Sequence, residues 1–102
     1  MQFEVLGDLN AKDGCAKQIK TWFVENLPDT LSYEGCISVH AIQSQSDSNN
    51  ILVIGQWASR EKWEKYINWR QERGDIAALQ NLIVGGFKLE CFESFIELRS
   101  AT

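Results

Sequence analysis

The residues best suited to chemistry lie between Gln56 and Arg70, a short run with three tryptophans, one tyrosine and several charged side chains. On a helical wheel, one arc of about 100° collects four of them: Trp63, Tyr66, Ile67 and Arg70. This pattern is typical of an amphipathic helix that packs its aromatic side on a sheet. Buried phenol and indole groups need hydrogen-bond partners. The same arc, with Trp57 before it and Trp69 at its margin, therefore also fits a slot for a flat phenolic or anionic ligand.

Arg70 is the most informative residue of this arc, because a guanidinium on a buried stripe must find a partner. One interpretation is structural: a carboxylate such as Glu90 or Glu93 takes the charge. The other is functional: Arg70 faces a cavity and holds a bound anion. The sequence leaves both interpretations open.

His40 is the only histidine, and imidazole is the side chain that exchanges a proton near neutral pH. Strand alternation places it on one side with Cys36, Ser38 and Ile42. It is the natural candidate for a general base, with Ser38 beside it as a ligand contact. A ring satisfied by backbone or sheet neighbours is the alternative. No nucleophile elbow, phosphate loop or metal-ligand motif accompanies it, and Gly85-Gly86 predicts a turn.

The composition of the 102 residues is that of one small globular domain, with 44% hydrophobic and 24% charged residues. The net charge of −4 argues against a nucleic-acid partner. No apolar run approaches the ~20 residues of a membrane span, and no signal peptide is predicted, so we expect a cytoplasmic protein without membrane association. Three cysteines without a CxxC pair, Cys15, Cys36 and Cys91, predict reduced thiols rather than disulfides or a zinc site.

The elements expected to position these residues alternate between strand and helix periodicity. We predict strands over Gln2–Leu6, Gly35–Gln43, Ile51–Trp57 and Phe87–Leu98, with the polar run Ser44–Asn50 as a hairpin loop. We predict one helix from near Asp13 to before Pro28, a second from the N-cap Ser59 to about Arg73, and a short third capped by Asp75. Residues 1–98 form one domain, and Arg99–Thr102 is a tail.

The order β-α-β-β-α-(α)-β predicts an α+β, ferredoxin-like split βαβ fold with one four-stranded antiparallel sheet and both helices on one face. Ile51 and Val53 point to one face, whereas Leu52 and Ile54 point to the other. Both faces are therefore apolar, and something must cover the face without helices. A second copy of the chain, sheet against sheet, would close a dimeric α/β barrel.

Several of these segments together resemble the antibiotic biosynthesis monooxygenase domain family. The resemblance rests on Tyr33–Val39, on Gln56-Trp57-x-Ser59-x-Glu61 and on Tyr66-x-x-Trp69-Arg70, in this order and spacing. It covers most of the chain, from the first strand to Phe92. It implies a ferredoxin-like subunit paired into a dimeric barrel, in agreement with the pattern above.

For activity, the resemblance implies monooxygenation of a small dihydroxy-aromatic or polyketide-like substrate by dioxygen, without metal or flavin. His40, Arg70 and Tyr66 are then the candidate catalytic residues, as base, anion partner and phenol. Four further residues are candidates for substrate binding: Trp57, Trp63, Trp69 and Ser38. Haem-degrading relatives use an Asn on the first strand and a His on the second helix. This chain has neither, so haem degradation is disfavoured.

Two other classes of function stay open. One is a non-catalytic barrel that binds or senses a small molecule, and the other is a purely structural dimerisation module. If His40 and Arg70 face different cavities, the binding interpretation is favoured. If the fold has no cavity, the structural interpretation is favoured.

Overall fold

The computed structural model describes residues 2–101. Met1, the first residue of the predicted domain, and Thr102, the last of the predicted tail, lie outside the described residues. The elements, in chain order, are β1 (Phe3–Ala11), α1 (Ala16–Ser32), β2 (Cys36–Gln43), β3 (Asn50–Trp57), α2 (Arg60–Glu72), α3 (Asp75–Gln80) and β4 (Ile83–Glu93). The α+β, ferredoxin-like class predicted from the sequence is confirmed.

The four strands form one antiparallel sheet in the order β2-β3-β1-β4, so β1 is a central strand with β3 and β4 beside it. One row of paired residues across the sheet faces the helices: Val39, Gly55, Val5 and Cys91. The next row points to the opposite face: His40, Ile54, Leu6 and Glu90. We call the face without helices the open face.

A bulge near the start of β2 changes one predicted side-chain direction. Cys36 pairs with Trp57 and Ser38 with Gln56, so Ile37 is an extra residue in β2. Cys36 therefore lies on the helix side, and only Ser38 and Ile42 share the open face with His40. The uniform alternation expected for Cys36 was wrong because a bulge reverses the faces.

Helix α2 begins and ends as the sequence predicts. The Ser59 hydroxyl accepts a hydrogen bond from the backbone N–H of Lys62, which satisfies one free donor of the first turn. Gly74 ends the segment with φ +82°, a conformation that favours glycine. The cap of α3 is this same Gly74; the expectation that Asp75 caps α3 was wrong, since its carboxylate binds arginines instead.

The extent of α1 differs from the expectation at both ends. The helix starts at Ala16 rather than near Asp13, and it continues through Pro28 to Ser32. Proline removes the hydrogen bond to the carbonyl four residues earlier, that of Val24. Both Val24 and Pro28 are exposed, so water can solvate that carbonyl and the helix continues on its solvent side.

Strands β1 and β4 also depart from their predicted bounds. β1 extends to Ala11, and β4 starts at Ile83 and ends at Glu93 rather than running from Phe87 to Leu98. Gly85 and Gly86 are not a turn before the strand but a bulge within it, both with positive φ. Three residues of β4 oppose one of β1 there, between the pairs Asn10–Val84 and Asp8–Lys88.

The core lies between the sheet and the helices in two clusters. One surrounds Leu9, Ile19 and Phe23, and the other surrounds Val5, Trp57 and Tyr66. Among residues 2–101, no helix combines the length and apolarity that a membrane crossing requires. The three cysteines are free thiols.

Candidate functional site

A cavity of about 80 Å³ lies between the sheet and the helices, where residues of both core clusters meet. Two of the residues that line it are glycines on the helix side of the central strands. A Cβ on Gly7 would lie 2.7 Å from Phe87, and a Cβ on Gly55 would lie 2.9 Å from Trp57 Nε1. The two glycines therefore allow the rings of Phe87 and Trp57 to pack directly on the sheet beside the cavity.

Trp57 forms one wall of the cavity and is only 2% exposed. Its ring centroid lies 4.9 Å from that of Tyr66, in a tilted arrangement. The indole nitrogen lies close to the helix side of Gly55, since a Cβ on that glycine would be 2.9 Å from it. Trp57 therefore places a large aromatic face and a polar N–H next to residues that line the cavity.

Arg70 borders the cavity at 1% exposure, and its guanidinium is held by partners from three helices. Its Nε donates to Tyr66 Oη at 2.9 Å, and one terminal nitrogen donates to Asp75 Oδ2 at 2.9 Å. The other terminal nitrogen donates to the Asn26 carbonyl at 2.9 Å and to Thr30 Oγ1 at 3.1 Å. The carboxylate partner is thus Asp75, and the expected partners Glu90 and Glu93 were wrong.

The environment of Arg70 also fixes its charge. Burial by itself lowers the pKa of a guanidinium, but the hydrogen bonds to Tyr66 and Asp75 outweigh burial and raise the pKa of Arg70. Its charge is further stacked on aromatic rings, 4.7 Å from the Trp69 centroid and 5.4 Å from that of Trp22. Trp69 therefore covers Arg70 from outside and does not line the cavity.

Besides Trp69, two of the predicted site residues do not line the cavity, and both lie on the opposite face of the sheet. His40 is exposed on the open face of β2, and Ser38 is on the same face, where its hydroxyl donates to Gln56 Oε1 at 2.9 Å. The structure brings Trp57, Trp63, Tyr66 and Arg70 together around the cavity. It separates them from His40 and Ser38 by the thickness of the sheet.

Three polar residues that contact Arg70 were missed by sequence reasoning: Asn26, Thr30 and Asp75. Thr30 lies seven residues after Phe23, on the buried side of α1. A polar residue on that apolar stripe is a usable signal, but the predicted helix stops before Pro28 and so does not include Thr30.

The described residues offer little to a metal ion. Between residues 2 and 101, no group of three or more His, Cys, Asp or Glu side chains has the proximity of a metal site. Burial raises the pKa of the Cys36 thiol, which favours its neutral form.

Solved structures share the fold at low sequence identity. SnoaB, a cofactor-independent oxygenase from Streptomyces nogalater, was solved as a variant that matches with a TM-score of 0.83 at 11% identity, covering 97% of this chain and 98% of its own. A Deinococcus radiodurans protein, described as a candidate antibiotic biosynthesis monooxygenase, matches with a TM-score of 0.84 at 17% identity, covering 98% and 99%. A conserved protein from Methanosarcina mazei matches with a TM-score of 0.84 at 13% identity, covering 93% and 94%.

At the level of sequence, no curated protein matches the chain. The family model of the antibiotic biosynthesis monooxygenases, however, matches residues 3–71, which include nearly all of α2 and every aromatic residue of the cavity wall before Arg70. The chain therefore belongs to the antibiotic biosynthesis monooxygenase family.

Proposed function

We propose that the chain binds a small aromatic, phenolic molecule in the cavity between sheet and helices and oxygenates it with dioxygen, without metal or flavin. The observation that carries this proposal is an apolar cavity whose wall combines the rings of Trp57, Trp63 and Tyr66 with a few polar groups at one end. Aromatic walls favour a flat ring, and a few placed polar groups orient its oxygen. The family of the chain is consistent with oxygenation.

The volume of the cavity narrows the substrate class. About 80 Å³ is less than the ~150 Å³ of an apolar cavity that holds one benzene molecule. A single ring fits with small side-chain movements, whereas three fused rings do not. We therefore favour a dihydroxybenzene over a polyketide-like substrate.

Such a substrate can supply the electrons for the reaction itself. A 1,4-dihydroxybenzene and one dioxygen molecule give 2-hydroxy-1,4-benzoquinone and one water molecule. One oxygen atom enters the ring and the other leaves as water with two hydrogens, so no external reductant is consumed. The protein's part is to bind and orient the ring, exclude water and stabilise negative charge on the reacting oxygens.

The candidate residues have different roles in this proposal. Trp57 and Trp63 hold the ring, and Tyr66 contributes its hydroxyl at the polar end of the cavity. Arg70 supports that end through Tyr66 rather than as a direct anion partner, because four of its five N–H groups already have acceptors. The predicted roles of His40 and Ser38 would need a ligand on the open face.

One observation favours the alternative, a barrel that binds the same ligand without turnover. The cavity is lined by no His, Cys, Lys, Asp or Glu side chain among residues 2–101. No lining group other than a phenol could act as a base, so the substrate's proton would have to leave through solvent.

The test measures binding and oxygen uptake together, with hydroquinone as the probe. Wild type should bind hydroquinone by calorimetry, consume dioxygen faster than the uncatalysed background, and incorporate one labelled oxygen atom from ¹⁸O₂. Val53→Phe should abolish hydroquinone binding and oxygen uptake, because Val53 lines the cavity and the larger phenylalanine ring would fill it. Val24→Phe, the same change at a position 77% exposed on α1, is the matched control and should change neither.

The outcomes separate the two functions. Binding without enzyme-dependent uptake across a panel of dihydroxybenzenes would assign the chain to the binding alternative. Absence of binding for the whole panel would refute both.

A further inference from the structure

Two hydroxyl groups meet at the polar end of the cavity, and together they hold one more hydrogen than they use. Thr30 Oγ1 and Tyr66 Oη are 2.7 Å apart and buried, with exposures of 3% and 9%. Thr30 comes from α1 and Tyr66 from α2, and both border the cavity. The pair therefore places a polar group from each of two helices at the same cavity.

The hydrogen bonds around the pair can be counted. Arg70 donates to both oxygens, so each hydroxyl accepts one charged N–H. The two hydroxyls carry two hydrogens, and their mutual bond uses one of them. Within residues 2–101, neither oxygen donates a hydrogen bond to any further protein acceptor, so one hydroxyl hydrogen is left unused.

Chemistry decides which hydroxyl keeps this hydrogen. The geometry allows either oxygen to donate in the mutual bond. Phenols are stronger acids and weaker acceptors than aliphatic alcohols, so Tyr66 donates and Thr30 accepts. The hydrogen without an acceptor then belongs to Thr30, and both bonds that Thr30 accepts polarise its O–H and strengthen it as a donor.

We propose that Thr30 is the specificity-determining residue of the cavity, where its hydroxyl donates a hydrogen bond to an acceptor oxygen on a neutral, single-ring ligand. The inference rests on the proposed function, since it assumes that the cavity holds an aromatic ring. Arg70 is paired with Asp75 at 2.9 Å and donates to three other protein acceptors, so at most one of its N–H groups is left for a ligand carboxylate. Thr30 therefore selects carbonyl and phenolic oxygens over both apolar rings and anionic ones.

The test compares benzaldehyde with styrene, which have nearly the same shape but differ in the acceptor oxygen. Calorimetric titration of wild type and Thr30→Val, whose side chains are almost isosteric, should show about tenfold weaker benzaldehyde binding in the variant. Styrene binding should change less than twofold. Thr30→Ser keeps the hydroxyl and should restore the benzaldehyde affinity, and thermal melting verifies that each variant is folded.

Tyr66→Phe tests the direction of the mutual bond. Thr30 keeps its hydrogen in this variant, so a preference for benzaldehyde should remain. If Tyr66→Phe removes the preference while Thr30→Val keeps it, Tyr66 is the donor and the assignment to Thr30 is wrong. Equal weakening of both ligands in Thr30→Val would show a packing effect and overturn the proposal. If wild type binds none of benzaldehyde, styrene and hydroquinone, the proposed function itself fails.

Discussion

Arg70 links three helices through one side chain. Its acceptors are Tyr66 one turn earlier on α2, Asp75 at the start of α3, and Asn26 and Thr30 on α1. Because a guanidinium presents donors in a rigid planar fork, it can satisfy several directions that a lysine could not. Of the two interpretations left open by the sequence, the structural one describes these contacts: Arg70 connects the helices that border the cavity.

Removing this guanidinium should destabilise the fold strongly. We expect Arg70→Met to lower the free energy of unfolding by about 3–5 kcal/mol, because buried acceptors lose their donor while Asp75 retains only Arg73. The stability of Arg70→Lys should lie between that of wild type and that of Arg70→Met, since one ammonium cannot reach all four acceptors. Urea denaturation measures both.

Arg60→Met is the matched control for this experiment. Arg60 pairs with Glu64 on the surface of the same helix, where both side chains are more than half exposed, so its loss should cost less than about 1 kcal/mol. A cost for Arg70→Met as small as this would contradict the structural role of Arg70.

Sequence reasoning reached part of this residue-scale picture. Periodicity correctly grouped Trp63, Tyr66 and Arg70, because all three lie on one continuous helix. The partners of Arg70 could not be predicted in the same way. Asp75 reaches it only because Gly74 turns the chain back with positive φ, and Thr30 reaches it from a helix far away in the sequence.

At the scale of elements, Gly35 controls the junction between β2 and α2. Its φ of +95° favours glycine, and its carbonyl accepts from the N–H of Ala58, just before the α2 cap. A Cβ at this position would lie 2.5 Å from Lys62 Cβ, on the first turn of α2. Neighbouring Glu34 binds the Lys62 ammonium, so the same helix turn is also tied from outside.

Gly35→Ala should therefore lower the free energy of unfolding more than an alanine substitution at a glycine that has a similar positive φ but no close neighbours. Gly14 provides that control, with φ +81° and nothing within 4 Å of the position that a Cβ would take. We expect about 1 kcal/mol for Gly14→Ala from backbone strain alone and at least about 2 kcal/mol for Gly35→Ala. Thermal and urea unfolding of the two variants check the difference; equal losses would show that the contact with Lys62 relaxes freely.

The elements were more predictable than the site, with instructive exceptions. All seven were expected in the right order, because apolar periodicity and the Ser59 and Gly74 signals are local. The second half of β1 was missed because Gly7, Asp8 and Asn10 resemble a turn. Pairing with strands on both sides overrides that preference, and Asn50 Nδ2 donates to Asp8 Oδ1 at 2.8 Å.

On the scale of the whole molecule, no helix of residues 2–101 covers the open face, although it carries several apolar side chains. Leu6, Leu52 and Ile54 form its centre, and Ile42 and Phe92 flank them at 45% and 47% exposure. The chain after β4 adds further exposed apolar side chains: Phe95, Ile96 and Leu98. Glu97 receives a hydrogen bond from Gln56 at the end of β3, which directs this segment along the sheet. An apolar surface of this extent is typical of an interface.

We expect a second copy to cover the open face, and a single charge there should separate the copies. An interface of the standard ~1,200–2,000 Å² would bury the centre of the sheet. Ile42→Glu then places an unpaired carboxylate within it, at a cost that dissociates the dimer while leaving each subunit folded, because Ile42 lies outside both core clusters. Leu31→Glu introduces the same charge at 52% exposure on α1 and should leave the assembly unchanged. Sedimentation velocity at micromolar concentration measures the assembly, and circular dichroism verifies that each variant is folded. A folded wild-type monomer would refute the dimer. If both variants sediment alike, the interface lies elsewhere.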